Sequence, residues 1–208
     1  MVRQMDLSNL GYKFTRNWHR QRNMATFREL VYPEWAGRQM TYLEIGVFEG
    51  QSLCWMLEHV LTHSSSRAIG IDPWLITTKI DQQSMDAVHA RAEYNVGKWD
   101  RAELIRGNSA EVLRRMIRYG FAGLGRGGEL ADVIMIDGNH NKWAVIDDVE
   151  QCMKLVKPGG WLLFDDVENN HEKSNHVKQA LEDLEQILAG QIEEVWRHRF
   201  MRCYKRIQ

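Results

Sequence analysis

The sequence predicts a three-layer α/β domain whose seven-stranded sheet is mostly parallel and ends in an antiparallel C-terminal strand. Two observations carry this expectation. From Met40 onward, short runs rich in β-branched and aromatic residues alternate with longer amphipathic segments, the rhythm of parallel strands covered by helices. After the fifth such unit the pattern gives way to two closely spaced apolar runs around a short turn, which fits a terminal hairpin.

Taken in order, residues 1–40 come first and match no strand–helix unit. There Arg16, Arg20, Arg22 and Arg28 interleave with Phe14, Trp18, Phe27, Tyr32 and Trp35, so this stretch reads as an N-terminal helical extension. It serves either as a lid that selects substrate or as an amphipathic helix packed on the sheet edge. Residues 41–208 hold the sheet. Strands are expected at 41–45, 67–71, 102–106, 132–136 and 160–164, helices at 52–62, 82–96, 110–119, 142–156 and 174–188, and the hairpin at 191–196 and 199–206. The glycine-rich stretch from Gly120 to Gly128 reads as a surface connector, because no helix start follows it to make a phosphate cradle.

Composition narrows the class. A chain of 208 residues with 44% apolar and 26% charged residues is long enough for a real core and far from disordered usage. Its 27 basic and 28 acidic residues nearly cancel, so no global field draws in nucleic acid or an anionic membrane. Only local clusters could, namely the arginines before Met40 and Arg197, Arg199, Arg202, Lys205 and Arg206 near the end. Cys54, Cys152 and Cys203 are odd in number and lack metal-ligand spacing, which argues against a disulfide framework or a structural zinc. The first residues show no apolar leader, and no apolar run approaches the ~20 residues of a membrane span. A cytoplasmic location and no membrane partner are expected.

The chemistry-bearing residues fall at strand ends. The first strand runs into Glu44-Ile-Gly46-Val-Phe-Glu-Gly50-Gln-Ser52, a strand, glycine turn and helix start, where backbone can pass close to a ligand and free N–H groups are presented. The second ends in Asp72-Pro73-Trp74; an acid there can accept both hydroxyls of a ribose, and Trp74 is either a face for adenine or a core tryptophan. The third delivers Asn108 and Ser109, good helix caps that could equally meet an adenine edge. The fourth ends in Asp137-Gly-Asn139-His140 and the fifth in Asp165-Asp166. Three carboxylates in one crevice repel one another unless protons or a cation intervene, and oxygen ligands suit Mg²⁺ or Mn²⁺. The plainer alternative is that one acid matters and the others cap helices or pair with arginine. Asp147 and Asp148, in the helix after His140, are assigned a solvated or capping role.

The succession of ExGxxxG, Ile-Asp-Pro-Trp, Ile-Asp-Gly-Asn-His and Lys-Pro-Gly-Gly-Trp-Leu-Leu-Phe-Asp-Asp resembles the class I S-adenosylmethionine-dependent methyltransferases with their Rossmann-like fold. Within them it is most similar to the small-molecule branch that includes macrocin O-methyltransferases and cephalosporin-hydroxylase-like proteins, over roughly residues 41–206. The resemblance implies that Glu44, Gly46, Gly50 and Ser52 belong to the loop around the methionine portion of S-adenosylmethionine. It also implies that Asp72 holds the ribose, that Asp137, Asp165 and Asp166 are metal acids, and that His140 is the base. Asp137 would face both cofactor and metal; Trp74, Asn108 and Ser109 complete the expected cofactor contacts. The family often reads Asp-Gly-Asp-His where this chain has Asn139, a change that removes no expected ligand.

The reaction so implied is methyl transfer to a hydroxyl of a small-molecule acceptor, with the cation lowering the hydroxyl pKa and His140 taking its proton. His171 is a competing base. The resemblance leaves room for a homodimer. Three alternatives stand beside it: a nicotinamide dehydrogenase, disfavoured by the missing GxGxxG; a nucleic-acid methyltransferase, disfavoured by overall neutrality; and a non-catalytic S-adenosylmethionine-binding protein.

Overall fold

The computed structural model describes residues 7, 10–15, 24–76, 81–120, 131–168 and 176–208. Seven strands, β1 (Thr41–Ile45), β2 (Arg67–Asp72), β3 (Ala102–Arg106), β4 (Ala131–Ile136), β5 (Val156–Phe164), β6 (Ile192–Arg197) and β7 (Arg202–Arg206), form one sheet in the order β3-β2-β1-β4-β5-β7-β6. The pairs among β1 to β5 are parallel. Strand β7 inserts between β5 and β6 and is antiparallel to both, so the hairpin expected from the sequence is present with its last strand running the other way.

Side-chain alternation divides the core. Tyr42, Val133, Met135, Trp161 and Leu163 point to one face, where they meet α2 (Gln51–His59) and α3 (Gln82–Val96). Leu43, Ile45, Ile134, Ile136, Leu162 and Phe164 point to the other, against α4 (Ser109–Tyr119), α5 (Lys142–Cys152) and α6 (His176–Ile187). Two buried faces explain why these strands read as near-continuous apolar runs. The first face also takes a helical segment, α1, built from Met24–Thr26, a π-helical turn Phe27–Val31 and Tyr32–Trp35. Phe27 and Val31 of α1 are in that core, Phe27 meets Trp55 edge to face at 5.3 Å, and the Trp196 indole donates to Thr26 Oγ1 at 3.1 Å.

The helix expected over 52–62 ends at His59 and the strand expected over 199–206 starts at Arg202, and the largest departure lies between α5 and β5. The helix expected over 142–156 stops at Cys152, and Val156 already pairs with Ala131 as the start of β5. The Pro158-Gly159-Gly160 segment, which reads as a turn, lies inside β5 where the register shifts, and an irregularity of that kind tolerates proline in a strand. Arg16, Trp18, Arg20 and Arg22, the glycine-rich stretch beyond Gly120, and His171 lie outside the described residues.

Candidate active site

Strands β1, β2, β4 and β5 are parallel neighbours, so the loops leaving their carboxyl ends gather along one edge, the crevice where open α/β sheets bind ligands. At the end of β1, Gly46 has φ 88°, and a Cβ there would lie 1.9 Å from the Asp137 carbonyl oxygen. The turn after β1 therefore rests on the backbone that carries Asp137. Gly50, at φ 80°, begins α2 without a side-chain cap, leaving the start of that helix to face the crevice.

Asp72 ties this turn down. Its Oδ2 accepts the N–H groups of Val47 and Phe48, each at 2.9 Å, and its Oδ1 accepts that of Trp74 at 2.7 Å. Burial pushes its pKa up, against the pull of those three donors. A carboxylate offers about four lone-pair sites, so one remains for a ligand. Beneath the turn, Glu44 is fully buried and accepts the Tyr42 hydroxyl at 2.8 Å and the Ser52 hydroxyl. The Ser52 side chain, expected to meet cofactor, is turned to this carboxylate.

Burial raises the Glu44 pKa from 4.5 to about 7, with the two hydroxyls opposing. The folded carboxyl thus holds its proton more tightly than the unfolded one, and stability should fall as pH rises from about 4.5 to about 7 and level off above. At about 1.4 kcal/mol per unit, the loss between pH 5 and pH 8 is about 3 kcal/mol. Urea unfolding at the two pH values should show a loss smaller by about this amount in Glu44→Gln; an equal loss in both proteins would contradict it.

The expected adenine platform is corrected. Trp74, at φ 42°, is fully buried; its indole N–H donates to the Phe48 carbonyl at 2.9 Å and its ring packs on His89 at 4.2 Å between centroids. No open face remains for a base. Asn108 caps α4, accepting the Glu111 N–H at 3.4 Å. The Ser109 hydroxyl bonds to Asp148, which burial pushes up to about 6. Asp148 is 2% exposed, so its expected solvated role is also corrected, whereas Asp147 pairs with Arg114 at 2.8 Å near the surface.

Asp137, His140 and Asp166 come together, with one ligand atom from each lying within 4.8 Å of the others. His140 Nε2 stands 3.4 Å from Asp166 Oδ2 and 4.0 Å from Asp137 Oδ1. Asp165 remains outside this trio: it is 8% exposed, and its Oδ1 accepts the Asp166 N–H at 2.7 Å. Burial and the nearby Asp165, Asp166 and Glu44 carboxylates hold the Asp137 pKa well above the usual carboxylate range. Such crowding is what a cation relieves, and the carboxylate oxygens of Asp137 and Asp166 suit Mg²⁺ or Mn²⁺, with the His140 imidazole beside them. The start of α2 after Gly50, which has no side-chain cap, likewise leaves backbone N–H groups for a cofactor.

Two members of the basic C-terminal cluster are held by acids. Arg202 is buried and paired with Glu185 at 3.3 Å, and Arg197 pairs with Glu194 at 2.8 Å. No helix among the described residues is long and apolar enough to cross a membrane. Sequence reasoning missed Glu49, buried inside the glycine turn; the one available hint was an acid placed directly before Gly50.

A family model described as a methyltransferase domain matches residues 43–167, from β1 to just past Asp166. The uncharacterized protein R132 of Acanthamoeba polyphaga mimivirus is 28% identical over 130 residues, covering 62% of this chain and 52% of that protein. The chain thus spans about half the length of this curated relative. Among solved structures, an O-methyltransferase from Bacillus cereus in complex with SAH (S-adenosylhomocysteine) superposes with a TM-score of 0.53 at 20% identity, over 80% of this chain and 74% of that one. The MycE methyltransferase of the mycinamycin biosynthetic pathway, in complex with Mg and SAH, gives 0.59 at 19% identity, over 94% of this chain and 51% of that one. The SAH-bound methyltransferase PaMTH1 of Podospora anserina gives 0.57 at 20% identity, over 81% and 72%. These three likenesses establish the shared fold.

Proposed function

The chain belongs to the methyltransferase-domain family, and from that premise we propose that it moves the methyl group of S-adenosylmethionine to a hydroxyl of a small-molecule or sugar acceptor, assisted by Mg²⁺ or Mn²⁺. The observation that carries this reading is the meeting of Asp137, His140 and Asp166 beside the glycine turn. The SAH complexes of three fold neighbours, and the complex of MycE with Mg, SAH and mycinamycin VI, support it.

When bound, S-adenosylmethionine supplies the methyl electrophile and the cation lowers the pKa of the acceptor hydroxyl. On the protein's side, the turn from Gly46 to Gly50 and the uncapped start of α2 suit the carboxylate of the methionine portion. Asp72 keeps one acceptor site for a ribose hydroxyl, and Glu44 anchors the start of α2 through the Ser52 hydroxyl. Asp137 and Asp166 would hold the cation. Asp165, the third acid expected at the cation, fixes Asp166 by accepting its backbone N–H on Oδ1 and lies beside Asp137. The His140 imidazole takes the acceptor proton, and the imidazolium so formed is stabilised by Asp166 at 3.4 Å. The first forty residues are assigned to acceptor selection.

Transfer of label from methyl-tritiated S-adenosylmethionine to a panel of hydroxyl acceptors, with Mg²⁺ and with excess EDTA, tests the reading. Label transfer that is lost in EDTA is expected; full activity in EDTA would remove the metal, and no transfer to any acceptor despite SAH binding would leave a binding protein. His140→Ala should lower kcat by about 10² to 10⁴, the usual worth of a general base, while SAH affinity stays within about twofold.

A further inference from the structure

Glu49 plays no part in the chemistry above, yet it is the most heavily bonded acid of the glycine turn. Only 2% exposed, its carboxylate accepts the Thr15 N–H at 2.7 Å, the Thr15 hydroxyl at 2.9 Å and Arg91 Nε at 2.5 Å. Its main-chain carbonyl accepts the Asn95 side-chain amide at 2.9 Å. That same amide group brackets Lys13, donating to its carbonyl at 3.0 Å and accepting its N–H at 2.7 Å. One helical turn on, Lys98 donates to the carbonyls of Leu10 and Gly11 at 3.1 and 2.7 Å and sits 4.2 Å from the centre of the Tyr12 ring. The Tyr12 hydroxyl donates to Glu58 of α2 at 2.7 Å.

Residues 10–15 therefore form a strap whose described polar attachments go to α2, to α3, to Lys98 and Trp99 just beyond α3, and to the turn between Gly46 and Gly50. A buried carboxylate is stable only when its oxygens are met by donors, and two of the three donors to Glu49 come from one residue of the strap. An apolar side chain could have filled the same space. What the carboxylate adds is a directional tie between a glycine-flanked turn, whose backbone has many alternatives, and a chain segment far away in sequence.

We propose that Glu49 is a positioning residue that couples the strap to cofactor binding: the turn holds its cofactor-binding shape when the strap is latched, and bound cofactor in turn holds the strap. This rests on the S-adenosylmethionine reading of the site. Thermodynamic linkage makes the coupling reciprocal, so each half can be measured separately.

Thr15 is exposed, and its replacement touches no core residue. Thr15→Pro removes both the N–H and the hydroxyl that Glu49 accepts, and Thr15→Val removes the hydroxyl alone. With SAH titrated calorimetrically into the full chain, Kd should rise about tenfold in Thr15→Pro and about threefold in Thr15→Val, at the lower end of measured site–site coupling. In the unsubstituted protein, saturating SAH should slow hydrogen exchange at the Lys13 and Thr15 amides. A latch that serves stability alone would lower Tm in Thr15→Pro while leaving Kd within twofold of the parent, and that result overturns the coupling, as does exchange at Lys13 and Thr15 that ignores SAH. Failure of the parent protein itself to bind SAH would overturn the cofactor reading and the coupling with it.

Discussion

Asp137→Asn should abolish metal-dependent methyl transfer and, in metal-free buffer at pH 8, make the protein more stable. Both effects come from one group. The Asp137 carboxyl is partly enclosed, 28% exposed, beside Asp165, Asp166 and Glu44, and its pKa stands well above the ordinary range. In the unfolded chain at pH 8 it is ionised; folding forces it either to take up a proton or to stay charged among like charges. Either way the folded state carries a cost that begins at the unfolded pKa and grows as pH rises toward the folded one. An amide of the same shape does not carry it, and a gain of about 1–2 kcal/mol is expected after loss of the carboxylate's own bonds. On the proposed reading the same substitution removes a ligand oxygen from a cation worth several kcal/mol to the transition state, so a fall in kcat/KM of about 10³ or more is expected. SAH affinity should change little. Thermal unfolding with and without Mn²⁺ reads both parts: Mn²⁺ should stabilise the parent and leave the variant unmoved. An Asp137→Asn protein that keeps its activity, or that still gains stability from Mn²⁺, contradicts the assignment of Asp137 to the cation.

Gly46→Ala is the second large effect, and it acts through the backbone. Alanine at φ 88° is strained by about 1–2 kcal/mol even in open space. Here the methyl would sit 1.9 Å from the Asp137 carbonyl oxygen and 2.8 Å from Gly138 Cα, so β1 and β4 must part at the crevice. Loss of more than about 3 kcal/mol of stability is expected from strain and backbone displacement together. Where the variant still folds, the displaced turn should weaken SAH binding and the displaced Asp137 should weaken Mn²⁺ binding. Gly138→Ala is the control, because its Cβ would meet Ile45 Cγ2 at 3.1 Å, a side-chain contact that can give way. Equal stability of Gly46→Ala and the parent would show that the turn and the Asp137 backbone are not locked together.

Much of this architecture is legible along the chain because its causes are local. Strands β1 and β3 and helix α3 fall on the expected residues, and α3 starts where Asp81 accepts the Ser84 N–H. Asn108 and Asn141 cap α4 and α5 in the same way. The start of β5 was not legible, because Pro158-Gly159-Gly160 resembles a turn and only its pairing across β4 makes it strand.

The site divides along the same line. The sequence by itself determined that acids and a histidine would stand at the carboxyl ends of β1, β2, β4 and β5, since strand endings and turn residues are set by near neighbours and the parallel order brings those ends to one edge. What the acids face was decided by the tertiary structure. Asp72 spends three of its acceptor sites on backbone N–H groups, Trp74 turns beneath the loop instead of opening to it, His140 rather than Asp165 joins Asp137 and Asp166, and Glu49 is claimed by Thr15 and Arg91. Each of these depends on the direction of a side chain relative to groups far off in sequence. Periodicity places a residue on an element and at its end; the partner that satisfies a buried charge exists only once the chain has closed around it.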